Sequence, residues 1–289
     1  MKYVTYICNG METAGIMTKD QCFVHSFEDA GLNYPDLLSF IRGHSVSELE
    51  LLLGLENEKG TAVADINLIA PIPRPHHDII CLGLNYMDHV MESKSAAAGD
   101  VKREEAIYFA KRVIKAIGPE GVIDSHAGVT NCLDYEAELA VVIGKDAKGV
   151  KKADAWSHVF GLMCFNDVSA REIQQRHKQW YFGKSLDTFT ATGPFIASAD
   201  EFSFPLNLGL TSRVNGETRQ LSNTKHMIFP VDYIIEELSS GMTLDAGSII
   251  ATGTPAGVGA GFDPPRFMKH GDICEIEIEG CGILKNYVR

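Results

Sequence analysis

The stretch Leu133-Asp134-Tyr135-Glu136-Ala137-Glu138-Leu139-Ala140-Val141-Val142-Ile143-Gly144 constrains the fold more than any other part of the chain. Side chains alternate faces along a strand, so Leu133, Tyr135, Ala137, Leu139, Val141 and Ile143 share one face, and Glu136 and Glu138 point the other way. From Leu139 onward both faces are apolar, the pattern of a strand covered on both sides. Glu138 therefore stands at the edge of a buried region. Carboxylates taken out of water without a partner are driven to protonate, and a divalent cation taking oxygen ligands is the most economical partner for two of them. The residues alone leave a second reading open, a half-exposed strand with a solvated acidic face.

A chain of 289 residues with 45% hydrophobic and 22% charged content is long enough for a large core and a second small domain. Its formal charge of -12 argues against a general nucleic-acid or anionic-membrane surface, so an anionic substrate must be met by a local basic pocket. No run reaches the ~18 consecutive apolar residues of a membrane span. The start Met1-Lys2-Tyr3-Val4-Thr5-Tyr6 lacks the apolar core and cleavage site of a signal peptide, which predicts a cytoplasmic protein. The seven cysteines are odd in number and scattered, as expected of reduced core residues rather than a disulfide framework.

Residues 1–72 read as a small N-terminal α+β domain, with a helix over Val46–Gly54 capped by Ser47 or a neighbour and ended by glycine. Pro71-Ile72-Pro73-Arg74-Pro75 punctuates the chain, because proline removes donors and biases its predecessor away from helix, and 73–289 form the second domain. A strand, Asp78–Leu84, then feeds a short helix within Asn85–Glu92, where His89 and Glu92 share a face at i and i+3. The polar stretch Ser93–Glu105 reads either as a lid or as an inert surface loop. The rest is mostly strand broken by glycine and proline, with a hairpin at Asn215-Gly216 and an amphipathic helix around Val231–Leu238. Glu277 and Glu279 repeat the acid spacing, yet their strand alternates cleanly and reads as a solvent face.

Chemistry gathers downstream of the paired glutamates. The apolar run Phe160–Phe165 ends in Asn166-Asp167, which makes Asp167 a natural third oxygen ligand. A short helix over Ser169–Arg176 puts Arg171 and Gln174 on one side, as donors to a carboxylate or an enolate oxygen. Lys184-Ser185-Leu186-Asp187-Thr188-Phe189 follows, and Trp180 reads equally as core or pocket wall.

Taken in order, Gly83-Leu84-Asn85-Tyr86 with His89 and Glu92, the Glu136/Glu138 pair, Asn166-Asp167 with Ala170-Arg171 and Gln174, Lys184 to Thr188, and Thr252-Gly253-Thr254-Pro255-Ala256-Gly257-Val258-Gly259 resemble the fumarylacetoacetate hydrolase family. The resemblance covers about residues 75 to 289 and leaves the first 70 outside the matched motifs. It implies an α+β, predominantly β fold, a mixed β-sandwich roll, and a homodimer. It further implies Mg²⁺ or Mn²⁺ on Glu136, Glu138 and Asp167, with His89 and Glu92 as a catalytic dyad on a closing lid. Arg171, Gln174, Lys184 and Thr254 would surround a small 2-oxo acid, Lys184 and Gln174 also serving the developing oxyanion, with Thr188 near the metal or supporting Lys184. The implied activity is metal-dependent hydrolysis of a carbon–carbon bond in a 1,3-dicarbonyl acid such as an acylpyruvate. Oxaloacetate decarboxylation, or isomerisation and decarboxylation of a dienoic diacid, is the alternative on the same site. A binding protein that holds a 2-oxo acid without chemistry is the alternative from another class, and the retained His89 and Glu92 speak against it.

Overall fold

In the computed structural model, which describes residues 1–93 and 105–289, the strand Ala137–Ile143 is buried along its whole length. It lies inside an eleven-stranded sheet, hydrogen-bonded antiparallel to Val159–Asp167 on one side and to Ile249–Ala251 on the other. Beyond Val159–Asp167 come Thr190–Ser198 and then Lys2–Cys8; beyond Ile249–Ala251 come Ile79–Gly83, which runs parallel to it, and Ile107–Lys111. A five-stranded sheet is built on Gly209–Val214, Ile273–Ile278 and Gly282–Val288, and it packs on the face carrying Leu139, Val141 and Ile143.

Those odd-numbered residues join Leu162, Cys164, Leu210, Ile276 and Leu284 in one core, while Ala140 and Val142 on the other face pack with Tyr3, Phe40, Phe165 and Ile249 in a second. The two-sided apolar pattern thus has two different covers. The first is the five-stranded sheet, and the second includes side chains from the first 72 residues. Lys2–Cys8 pairs with Thr190–Ser198 in the register Lys2 to Ala197 and Tyr3 to Ile196, so the N-terminal strands extend the same sheet. Pro71 and Ile72 are buried, and the Thr5 hydroxyl donates to the Pro71 carbonyl at 2.6 Å. The chain has the expected α+β, predominantly β architecture, with mixed sheets.

Local elements depart from expectation where side chains compete for a helix end. The helix Val46–Leu55 is capped by Ser45, a neighbour of Ser47, through a capping box with Glu48, but it runs through Gly54 rather than ending there, to a cap at Glu56. Ser169–Ala170 is not helical; it pairs with Leu133–Asp134, and the helix begins at Arg171. The hairpin at Asn215-Gly216 forms with both residues at positive φ, 53° and 78°. Glu277 lies half-exposed and pairs with Arg213 at 2.7 Å, consistent with a solvent face. Cys81, Cys164, Cys274 and Cys281 are buried and reduced, and burial pushes the thiols of Cys164 and Cys274 up to about 12. Among the described residues no helix is long and apolar enough to cross a membrane. Residues 94–104, nearly all of the stretch read as a lid or loop, lie outside the described residues.

Candidate active site

Strand register brings the three acids together. Ala137 pairs with Asn166, and the Asp167 N–H donates to the Glu136 carbonyl at 3.0 Å, so Glu136 and Asp167 are neighbours across the two strands. Paired residues face the same way, as do residues two apart, which adds Glu138 to the same face. One carboxylate oxygen from each of Glu136, Glu138 and Asp167 falls within 4.8 Å of the others, and all three residues are buried.

The cations around them are equally buried. Lys184 Nζ bridges Glu136 at 2.7 Å and Asp167 at 2.8 Å. Arg171 donates through Nη1 to Glu136 at 2.6 Å and through Nε to Asp134 at 2.7 Å, and Gln174 Oε1 accepts from Nη1 at 3.1 Å. Lys111, fully buried, donates to Asp167 and to the Val168 carbonyl. Neither Lys111 nor Asp134 was expected in the site. The signal for Lys111 is present, because alternation puts it on the strand face of Ile107 and Phe109, where an exposed lysine has no place.

Charge is unevenly shared. Burial resists charging Glu136, but Lys184 and Arg171 outweigh it and hold that carboxyl well below its ordinary value. Glu138 goes the other way: burial, then Asp167 and Glu136, push it well above the usual carboxylate range. Among the described residues its one hydrogen-bond donor is the Gly253 N–H at 2.8 Å. Four carboxylates, with Asp134, therefore meet three cations, and Glu138 is the one left wanting positive charge. A hard divalent ion fits this all-oxygen donor set, whereas thiolate or imidazole ligands would mark a softer metal.

The second half of the site is carried by the helix Met87–Glu92. His89 Nδ1 pairs with Glu92 Oε2 at 3.0 Å, and Glu92 Oε1 accepts the Gly257 N–H at 2.8 Å. His89 also lies close enough to Glu136 to help lower its carboxyl. The glycine-rich segment holds both halves in register: the N–H groups of Gly253, Gly257 and Gly259 donate to Glu138, Glu92 and Asp134. Gly253 and Gly257 sit at φ of 92° and 101°, a conformation that favours glycine. Asn85 ties the same segment to the His89 helix by donating to the Thr252 and Phe229 carbonyls at 2.8 and 3.0 Å.

Some expected ligand contacts are occupied within the protein. The Thr254 hydroxyl donates to the Ala137 carbonyl at 2.9 Å and accepts from Gln220 Nε2 at 2.7 Å, so its hydrogen serves the scaffold. The Thr188 hydroxyl accepts from the Asp124 N–H at 2.8 Å and, among the described residues, makes no hydrogen bond to Lys184 or to the acid cluster; it is a loop anchor. The Trp180 ring meets Phe109 edge-on at 5.2 Å, and Lys184 Nζ in turn lies 5.4 Å from the Phe109 ring centre. Arg171 Nη2 is buried and, among the described residues, without a partner. A buried guanidinium N–H with no acceptor is poised to receive an anionic oxygen.

Residues 78–289 match the family described as fumarylacetoacetate (FAA) hydrolase, C-terminal. The oxaloacetate tautomerase YisK of Bacillus subtilis is 47% identical over 227 residues, covering 78% of this chain and 74% of that protein. Among solved structures, a fumarylacetoacetate hydrolase from psychrophilic Exiguobacterium antarcticum superposes with a TM-score of 0.83 at 37% identity, over 100% of this chain and 99% of that one. A 2-hydroxyhepta-2,4-diene-1,7-dioate isomerase from Mycobacterium marinum superposes at 0.73 with 28% identity, over 100% and 98%.

Proposed function

The chain belongs to the fumarylacetoacetate hydrolase family, and we propose that it interconverts the keto and enol forms of an oxaloacetate-like 2-oxo acid. The carrying observation is the buried acid cluster flanked by an unpartnered arginine N–H and a carboxylate-oriented histidine. The motifs by themselves favoured hydrolysis; the 47% identity to an oxaloacetate tautomerase reverses that order. Cleavage of an acylpyruvate stands as the second reading, favoured by the His89–Glu92 pair, which is what activation of water requires.

Glu136, Glu138 and Asp167 would hold Mg²⁺ or Mn²⁺. When bound, such an ion supplies Lewis-acid polarisation of a 2-oxo acid's carbonyl. It would also turn the cluster from net negative to net positive, which suits an anionic substrate in a chain of formal charge -12. Arg171 Nη2 and the remaining Lys184 proton donate to the substrate's oxygens, with Gln174 fixing the guanidinium. Glu92 accepts from His89 Nδ1, which leaves Nε2 as the working nitrogen. In ketonisation the enol hydroxyl loses its proton and the adjacent carbon gains one, with His89 as the carrier. In hydrolysis His89 takes a proton from water, hydroxide adds to the distal carbonyl, the carbon–carbon bond breaks, and the departing enol collects the proton.

The test is decay of enol-oxaloacetate beside cleavage of acetylpyruvate, with Mg²⁺, with Mn²⁺ and with chelator. We expect metal-dependent ketonisation to exceed cleavage. His89→Ala should lower turnover by about 10²- to 10⁴-fold while Mg²⁺ binding by calorimetry persists, and Glu138→Ala should lose that binding. Enol decay at the protein-free rate, with rapid acetylpyruvate cleavage, would replace the first reading by the second.

A further inference from the structure

We propose a second cation site, away from the acid cluster, formed by His76, His77 and Asp245 and selective for a borderline ion such as Zn²⁺. The three residues offer ligand atoms within 4.8 Å of one another. The chain bends at His76 and His77 ahead of the strand Ile79–Gly83, and both imidazoles turn to one carboxylate. Their rings lie 4.0 Å apart at 47°, His76 Nε2 is 2.8 Å from Asp245 Oδ2, and His77 Nε2 is 3.4 Å from Asp245 Oδ1. A tetrahedral ion about 2.1 Å from each ligand sets neighbouring ligand atoms about 3.4 Å apart. Small side-chain rotations therefore suffice.

The carboxylate is already oriented by its protein partners, of which the Ser248 hydroxyl would remain beside a bound ion. Ser248 Oγ donates to Asp245 Oδ1 at 2.8 Å, and Arg42 reaches Oδ2 at 2.8 Å while its Nε holds the Ala246 carbonyl at 3.0 Å. Two imidazoles and one carboxylate select zinc-like ions over Mg²⁺, the inverse of the all-oxygen cluster at Glu136, Glu138 and Asp167. The fourth position faces solvent, since His77 is 64% exposed. Arg42 lies on the helix Leu37–Gly43, the histidines follow the proline segment, and Asp245 precedes the strand Ile249–Ala251 that leads to Gly253. An ion here staples the histidine segment to the one that carries Asp245, and it competes with Arg42 for the Asp245 carboxylate.

The test uses tag-free full-length protein, stripped with chelator and saturated with Mg²⁺, then titrated with Zn²⁺ by calorimetry and with Co²⁺ by visible absorption. We expect a site that Glu138→Ala retains and His77→Ala weakens by more than about tenfold, since even the outer partners of a metal-binding histidine are worth about 10- to 100-fold. Arg42→Ala should tighten it, and Zn²⁺ should raise the melting temperature of the parent but not of His77→Ala. Equal Zn²⁺ affinity and stoichiometry in the parent and His77→Ala would overturn the site and leave Asp245 as the hub of an ion-pair cluster.

Discussion

Lys111 shows what a single buried charge does here. Its ammonium is fully enclosed, burial disfavours the charged form, and Asp167 supplies the compensation. Removing one member of such a pair leaves the other charge uncompensated, at about 3–5 kcal/mol. Lys111→Met, which preserves most of the stem, should therefore lower unfolding stability by about 3 kcal/mol, the low end because Lys184 still reaches Asp167. Urea unfolding measures it, and an unchanged midpoint with an unchanged slope would show that the lysine is not needed as a counter-charge. Glu138 is the mirror case, a carboxyl pushed up by burial and then by Asp167 and Glu136, which the pull of Lys184 does not offset. Acid spacing alone singled out Glu136 and Glu138 in the sequence, but which of them lacks a partner depends on Lys184 and Arg171 arriving from 35 or more positions away.

At the scale of elements, the glycine-rich segment after Ile249–Ala251 acts as a template of N–H donors for three carboxylates. Its continuation presses on the dyad, because a Cβ at Gly261 would collide with the Glu92 carboxylate. Gly261→Ala should push Glu92 off His89 and reduce turnover by about 10²-fold, the scale of a 1 Å misplacement. The fold should persist, since Gly261 is only partly buried. Turnover at the parent level would mean that Glu92 does not need this position. Helix ends were the least legible elements. Ser45 and Ser47 each have a glutamate three positions on, Glu48 and Glu50, so the box spacing did not choose between them, and Ser169–Ala170 is drawn into pairing with Leu133–Asp134 by partners 35 and 37 residues distant.

For the whole molecule, the strand carrying the acids is sandwiched between unlike covers. Residues 1–72 contribute Tyr3, Phe27, Leu37 and Phe40 to the core that also holds Ala140, Val142, Met163 and Phe165. Deleting residues 1–72 would bare the apolar part of the strand face that also carries the acids, and large exposed patches of this kind drive association. The 73–289 fragment should be aggregated or lack a cooperative melt by circular dichroism and size-exclusion chromatography. A monodisperse fragment melting near the parent temperature would show that 73–289 is self-sufficient.

The sequence by itself determined that one central strand is buried on both faces, that two glutamates share its side, and that ordered motifs place the chain among fumarylacetoacetate hydrolases. Those properties rest on local alternation and spacing, which the chain carries at every point. Only the tertiary structure decided which charges pair, that Thr254 and Thr188 serve the scaffold, that Lys111 enters the site, and that His76, His77 and Asp245 converge. Each of these is a contact between segments far apart in sequence. Hydrogen-bond valence and the penalty for burying an unpaired charge are settled when those segments meet, and no local pattern encodes the meeting.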